Sequence, residues 1–193
     1  QIAALDTADV VKLDSAQLIA LTTNQISQLA TGQIVALTST QLAALQPEDV
    51  GNLSTDQIVA LTSVQIKSLT TAQLNLLTTD QVVAIQTTDL AELSSLQLGA
   101  LSTAGISVLS SSQLVNLTTS QIPGFTTDQI RALTGTQISS LETRDVSKLT
   151  TSQIGALTSA QTPNLSSDQI SALSNEQINA MTTVSLGALY GER

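Results

Sequence analysis

The chain has 193 residues, a net charge of −9 and no cysteine or histidine. These counts exclude a disulfide framework, thiol chemistry and the commonest general base and metal ligand. Six Lys+Arg against fifteen Asp+Glu leave no basic stripe for nucleic acid or an anionic membrane, and no run approaches the roughly 18 apolar residues of a membrane span. Phe125 and Tyr190 are the only aromatics beside a hydrophobic fraction of 41%, so the core is expected to be aliphatic, narrow and ladder-like.

From the first residues onward the chain repeats one octad: Leu, Ser/Thr, Ser/Thr, any, Gln, Ile/Val/Leu, any, any. The leucine column runs Leu5, Leu13, Leu21, Leu29 and so on through Ile85 and Phe125 to Met181 and Leu189, with no residue gained or lost. So strict a register predicts one continuous solenoid over residues 1–193. The chain opens in mid-octad at Gln1-Ile2-Ala3-Ala4-Leu5, which reads as a processed product or an excerpt of a longer array.

Spacing decides between helix and strand. The second apolar column (Val10, Leu18, Ile26, Ile34) precedes each Leu by three residues. In a strand an odd spacing puts the two columns on opposite faces; in a helix a spacing of three puts them on one. A pair such as Ile58 and Leu61 therefore reads as one helical turn, and members of both columns (Leu21, Ile26, Leu61, Ile66, Leu77, Val82, Leu133 and Ile138) are the candidate structural core. Helix starts are marked by capping boxes: Thr22 with Gln25, Thr38 with Gln41, Ser54 with Gln57, Thr126 with Gln129. The hydroxyl accepts from a first-turn N–H, and the glutamine reaches back to the N–H of the cap residue. Gln fills this column in 17 of 23 octads, and Asp9, Asp49, Asp89 and Asp145 replace it elsewhere. Pro47 stands at a first helical position, where its missing N–H costs little.

One uninterrupted helix is disfavoured. Eight residues advance an ideal helix about 80° beyond two turns, so the apolar pair would spiral around the rod. The expected fold is all-α: a tight solenoid or superhelix of about 24 eight-residue repeats, each a short capped helix of roughly six residues plus a turn. A lone helix of that length is unstable in water, so octads must stabilise one another. Asp9, Asp49 and Asp89 lie 40 residues apart, as do Pro123 and Pro163, which suggests a super-period of five octads, as two coils of about 20 residues each. Pro123 and Pro163 fall inside helical positions and are expected to kink them.

No catalytic, cofactor or metal residues emerge. Hydroxyls abound without a base, Lys12, Lys67 and Lys148 read as solvated charge, and the acids recur at helix starts. The sequon matches at Asn52, Asn116 and Asn164 follow automatically from an Asn placed before Leu. The hydroxyl column Thr23, Thr31, Ser39 and Thr55 reads as first-turn bonding. As an alternative it forms, with the glutamines, a regular face for a glycan, ice or a protein partner. Gln1–Leu5 shows no polar cap, and the sequence changes character over Leu189–Arg193, which would permit head-to-tail association.

The run Leu77-Thr-Thr-Asp-Gln-Val-Val-Ala-Ile85 resembles octad arrays in very large bacterial surface proteins, often labelled haem utilisation or adhesion proteins, and the resemblance spans the chain. It implies export and a surface or extracellular structural role; together with the ends, this gives the expectation of a non-enzymatic extracellular filament subunit or adhesin stalk at the bacterial cell surface, with itself as partner. The haem label finds no histidine here and one methionine, Met181. The same run resembles the first helix of the DNA-reading repeats of plant-pathogen effectors, but their 34-residue period and basic character are absent.

Overall fold

The structure, a computed structural model, describes residues 4–190, with only the backbone of Tyr190. The terminal residues Gln1–Ala3 and Gly191–Arg193, which entered the reading of the ends, lie outside it. The described residues form short α-helices, from α1 (Thr7–Val10) to α21 (Thr183–Tyr190), and no strand. Helices such as Thr55–Ala60, Ser63–Ser68 and Thr79–Ala84 span six residues, one per octad.

Most octads build their helix the same way; Ala30, Gln46, Gln86 and Glu142 stand at the cap position without a side-chain cap bond. The residue after Leu is extended, as at Thr78 (φ −70°, ψ 163°), and its hydroxyl accepts from the N–H three residues on. The helix ends where Leu itself leaves helical geometry, as at Leu37 (φ −59°, ψ 133°). Its N–H closes a last tight bond to the carbonyl three residues back (Leu37 N to Ile34 O, 3.2 Å). The leucine is thus both core residue and corner. At Pro123 and Pro163 the octad keeps its corners but tightens into a 3-10 turn, Ile122–Gly124 and Thr162–Asn164. Proline withholds its N–H there, and the three-residue turn accommodates that loss.

Helices pack on those three octads away. Thr31–Ala36 lies on Thr55–Ala60, and Ser39–Ala44 lies on Ser63–Ser68. Three octads therefore complete one coil. This corrects the expected two coils per five octads. Each corner turns the chain through about a third of a circle, and a separation of 40 residues falls on a different side of the coil. The 40-residue spacing of Asp9, Asp49 and Asp89 is therefore not a coil repeat.

Both aliphatic columns point inward and merge into one core cluster from Val10 to Met181. Ile34, Leu42, Leu74 and Val82 are fully buried. Leu5, Leu13 and Leu21 pack against the same cluster but are only partly buried, because no described coil lies beneath the first one.

Candidate functional site

The residue that joins coil to coil is the repeated glutamine. Its carbonyl oxygen closes the capping box. Gln25 Oε1 accepts from Thr22 N (2.8 Å), Gln41 from Thr38 N (2.9 Å), Gln57 from Ser54 N (2.7 Å) and Gln129 from Thr126 N (2.8 Å). In return the hydroxyls of Thr22, Thr38, Ser54 and Thr126 accept from the glutamine N–H at 3.3, 3.2, 3.2 and 3.1 Å.

The amide nitrogen does something different. Gln41 Nε2 donates to Val10 O (3.0 Å), Val11 O (3.1 Å) and Leu13 O (2.7 Å), 28 to 31 residues earlier. Gln73 donates to Leu42 O (2.9 Å) and Leu45 O (2.8 Å), and Gln121 to Leu90 O (2.9 Å) and Leu93 O (2.7 Å). The register holds through Gln177, which reaches Leu149 O at 2.7 Å. The acceptors are carbonyls at the helix ends and corners of the coil beneath: the corner carbonyls of Leu13, Leu45 and Leu93 receive no backbone N–H, while those of Val10, Leu42 and Leu90 also accept a local one. One side chain therefore starts its own helix and satisfies the end of another, out of water, where an unmet polar group is costly.

These amide donors between coils are absent from the sequence reading, which gave the glutamines a capping role and, as an alternative, a place on a binding face. A signal existed: a capping box accepts Glu as readily as Gln, yet no Glu occupies this column. Only a group that also donates fits both tasks. The reading of a Thr/Ser/Gln binding face is corrected accordingly. From Gln33 to Gln177 the column is buried except at Gln97, and its amides are spent between coils. The hydroxyls of Thr31 and Thr55 remain exposed, and Thr23 and Ser39 are half-buried. Of the candidate core, Ile26, Leu61, Ile66, Leu77, Val82, Leu133 and Ile138 are buried, and Leu21 is partly so.

Where glutamine is replaced, the seam changes. Ser185 Oγ still donates to Leu157 O (2.7 Å), at the glutamine register. At Asp49 and Asp89 the direction reverses: Thr23 Oγ1 donates up to Asp49 (2.8 Å), and Ser63 Oγ up to Asp89 (2.5 Å), each from 26 residues earlier. Asp9 is exposed and meets Lys12 at 3.1 Å. Gly105 supplies no side chain. Asp145 is fully buried, and neither carboxyl oxygen has a hydrogen-bond partner. Burial pushes its carboxyl above the usual carboxylate range; neighbouring Arg144 opposes this and Glu142 adds to it. Exposed Glu176 is shifted the other way, held below its ordinary range by the Ser174 hydroxyl and its own backbone.

The remaining surface is shallow. One open groove of about 430 Å³ is bordered by Thr71, Ser95, Leu96, Gly99 and Gly124. Among the described residues no cluster of three or more Asp, Glu, His or Cys could hold a metal, and no helix is long and apolar enough to cross a membrane.

Fold and seam define an all-α repeat solenoid with three octads per coil. Seven overlapping stretches, residues 2–39, 28–63, 50–84, 82–119, 113–143, 138–175 and 146–183, match the ALTTAQ repeat. The chain belongs to the ALTTAQ repeat family. The octad opening at Leu69-Thr70-Thr71-Ala72-Gln73 carries that motif from its leucine onward. The match concerns the repeat and carries no label of adhesion or haem utilisation. No curated protein matches the chain.

Proposed function

We propose that the chain is a non-enzymatic structural array, a bacterial extracellular filament subunit or adhesin stalk that associates head to tail. The observation that carries this reading is the constant register of the seam, which makes the two faces of every coil complementary. The lowest described coil presents Gln17 and Gln25, whose side-chain nitrogens have no partner among the described residues, beside half-buried Leu13 and Leu21. The uppermost described coil presents the carbonyls of Leu165, Leu173 and Met181, which receive no hydrogen bond from the described residues. Donors below and acceptors above repeat the chemistry used inside the array, and a heterologous contact of this kind propagates. In a longer array the same groups would serve a further coil of the same chain.

Electron microscopy and sedimentation of the purified chain test the proposal. Uniform fibres that disappear in the Gln17→Met/Gln25→Met variant support it. Monodisperse short rods would overturn self-association and favour an isolated stalk or a module that binds a glycan or protein through its exposed hydroxyls.

A further inference from the structure

The glutamine register fixes what lies beneath Asp145. Gln137 Nε2 donates to Leu109 O and Ile106 O, and Gln153 Nε2 donates to Phe125 O and Ile122 O. Carried to the octad between them, the same register places Asp145, one methylene shorter than glutamine, nearest Leu117 O and Leu114 O. The Leu114 carbonyl already accepts from Asn116 N and Leu117 N inside its own octad. The Leu117 carbonyl receives no hydrogen bond. An ionised carboxylate here would set a buried negative charge against a carbonyl oxygen, with no donor on either. The two comparable aspartates escape this through the hydroxyl 26 residues earlier. The corresponding Thr119 makes no such bond, and its octad is the one that Pro123 converts from an α-helix to a 3-10 turn.

We propose that Asp145 is a proton-operated version of the glutamine stitch. Protonated, its carboxyl O–H donates to the Leu117 carbonyl and closes the junction between octads 117–124 and 141–148. Ionised, it leaves that junction unstitched and loosened. No oxidant, metal or second molecule is required: the proton comes from solvent, and the carboxyl gains one donor while keeping an acceptor. The charged neighbours are few. Arg144 and Glu142 flank Asp145 and pair with each other at 2.5 Å, while Arg144 Nε lies 4.0 Å from Asp145. Lys148 follows on the same octad. The helix packed above, Ser167–Ser171, contributes exposed Asp168, and the octad beneath contributes no charge.

The sign follows from the raised carboxyl. The folded chain binds this proton more tightly than the unfolded chain, so the added stability is complete below the unfolded carboxylate value of about 3.9. It fades as pH climbs through the higher folded value. Asp145→Asn supplies a permanent donor without a charge. The difference in melting temperature between wild type and this variant, followed from pH 3.5 to 8, isolates the group from the other acids. The variant is expected to gain about 2–4 °C over wild type as pH rises. In the wild-type chain itself, a protonated carboxyl stretch should persist in the infrared to higher pH than those of the exposed acids, and this component should vanish in the variant. A constant difference across the range, or no such component in the wild type, overturns the proposal. If instead Thr119→Val destabilises the wild type at pH 7 as much as the Asp145 difference does, Asp145 accepts from Thr119 as Asp49 accepts from Thr23, and the proposal fails.

Discussion

Replacing Gln73 by Met separates the two tasks of the repeated glutamine. Methionine keeps the length and packing volume but neither accepts nor donates strongly. Three bonds disappear: Thr70 N to Gln73 Oε1 (2.8 Å), and Gln73 Nε2 to Leu42 O (2.9 Å) and to Leu45 O (2.8 Å). Their costs differ. Thr70 is exposed, so water can replace its lost acceptor. The Leu42 carbonyl still accepts from Leu45 N at 3.2 Å. The Leu45 carbonyl has no other donor and is left unmet out of water, at a cost of about 1–3 kcal/mol. With the two weaker losses, and an offset from burying a more apolar side chain, the net cost is about 2–4 kcal/mol. At about 2–4 °C per kcal/mol, the thermal midpoint should fall by roughly 5–15 °C. Thr70→Val is the control in the same octad. It removes only the 3.2 Å bond from Gln73 N to the cap hydroxyl and should cost about 1 kcal/mol. Circular dichroism melts of both variants measure the ratio. If Gln73→Met costs no more than Thr70→Val, the glutamine is a cap alone and the seam does not hold the coils.

Further outcomes follow from the same geometry. Gly105→Gln should raise the melting temperature, since it restores a stitch toward Leu77 O and replaces a helical glycine; a gain of about 1–2 kcal/mol is expected, and a loss would show that the site cannot admit the side chain. Its nearest obstacle is Val82 Cγ2, 3.1 Å from an added Cβ, which must give by a few tenths of an ångström for the gain to appear. Gly124→Ala should destabilise, because the new Cβ would run into the Ser95 carbonyl of the coil beneath; hydrogen exchange should rise first in octads 93–100 and 117–124. Leu77→Ala should cost about 2–5 kcal/mol by opening a cavity in a ladder only two side chains wide per octad. Leu77→Asp should unfold neighbouring octads with its own, since no octad is stable alone; unchanged melting would remove the leucine ladder from the core.

The octad was legible because its determinants are local. A spacing of three between Ile58 and Leu61, a hydroxyl at Ser54 and an acceptor at Gln57 define one short helix from residues within a turn of each other. The number of octads per coil was not legible. It depends on the angle each leucine corner makes, an outcome of backbone geometry at positions such as Leu37 and Leu61 that the residue type does not encode. The 40-residue recurrence of Asp9, Asp49 and Asp89 pointed to a different coil because substitutions at the glutamine position need not follow the coil period. The seam was half legible. Capping explains the carbonyl end of Gln41, but the donor end bonds residues 28 to 31 positions away, beyond any local pattern. Asp145 shows the same limit: its type suits a helix start, and only the coil beneath it reveals a buried acid without a donor.

The most direct measurement on the three-octad coil is the NMR behaviour of the glutamine side-chain amides. The seam predicts slow hydrogen exchange of the Nε2 protons of Gln41, Gln73 and Gln121, with cross-relaxation from Gln73 to the corner at Leu45, 28 residues earlier. Gln17 and Gln25 should exchange fast in the monomeric chain. Uniformly fast exchange, or contacts from Gln73 to residues about 20 positions earlier, would contradict it.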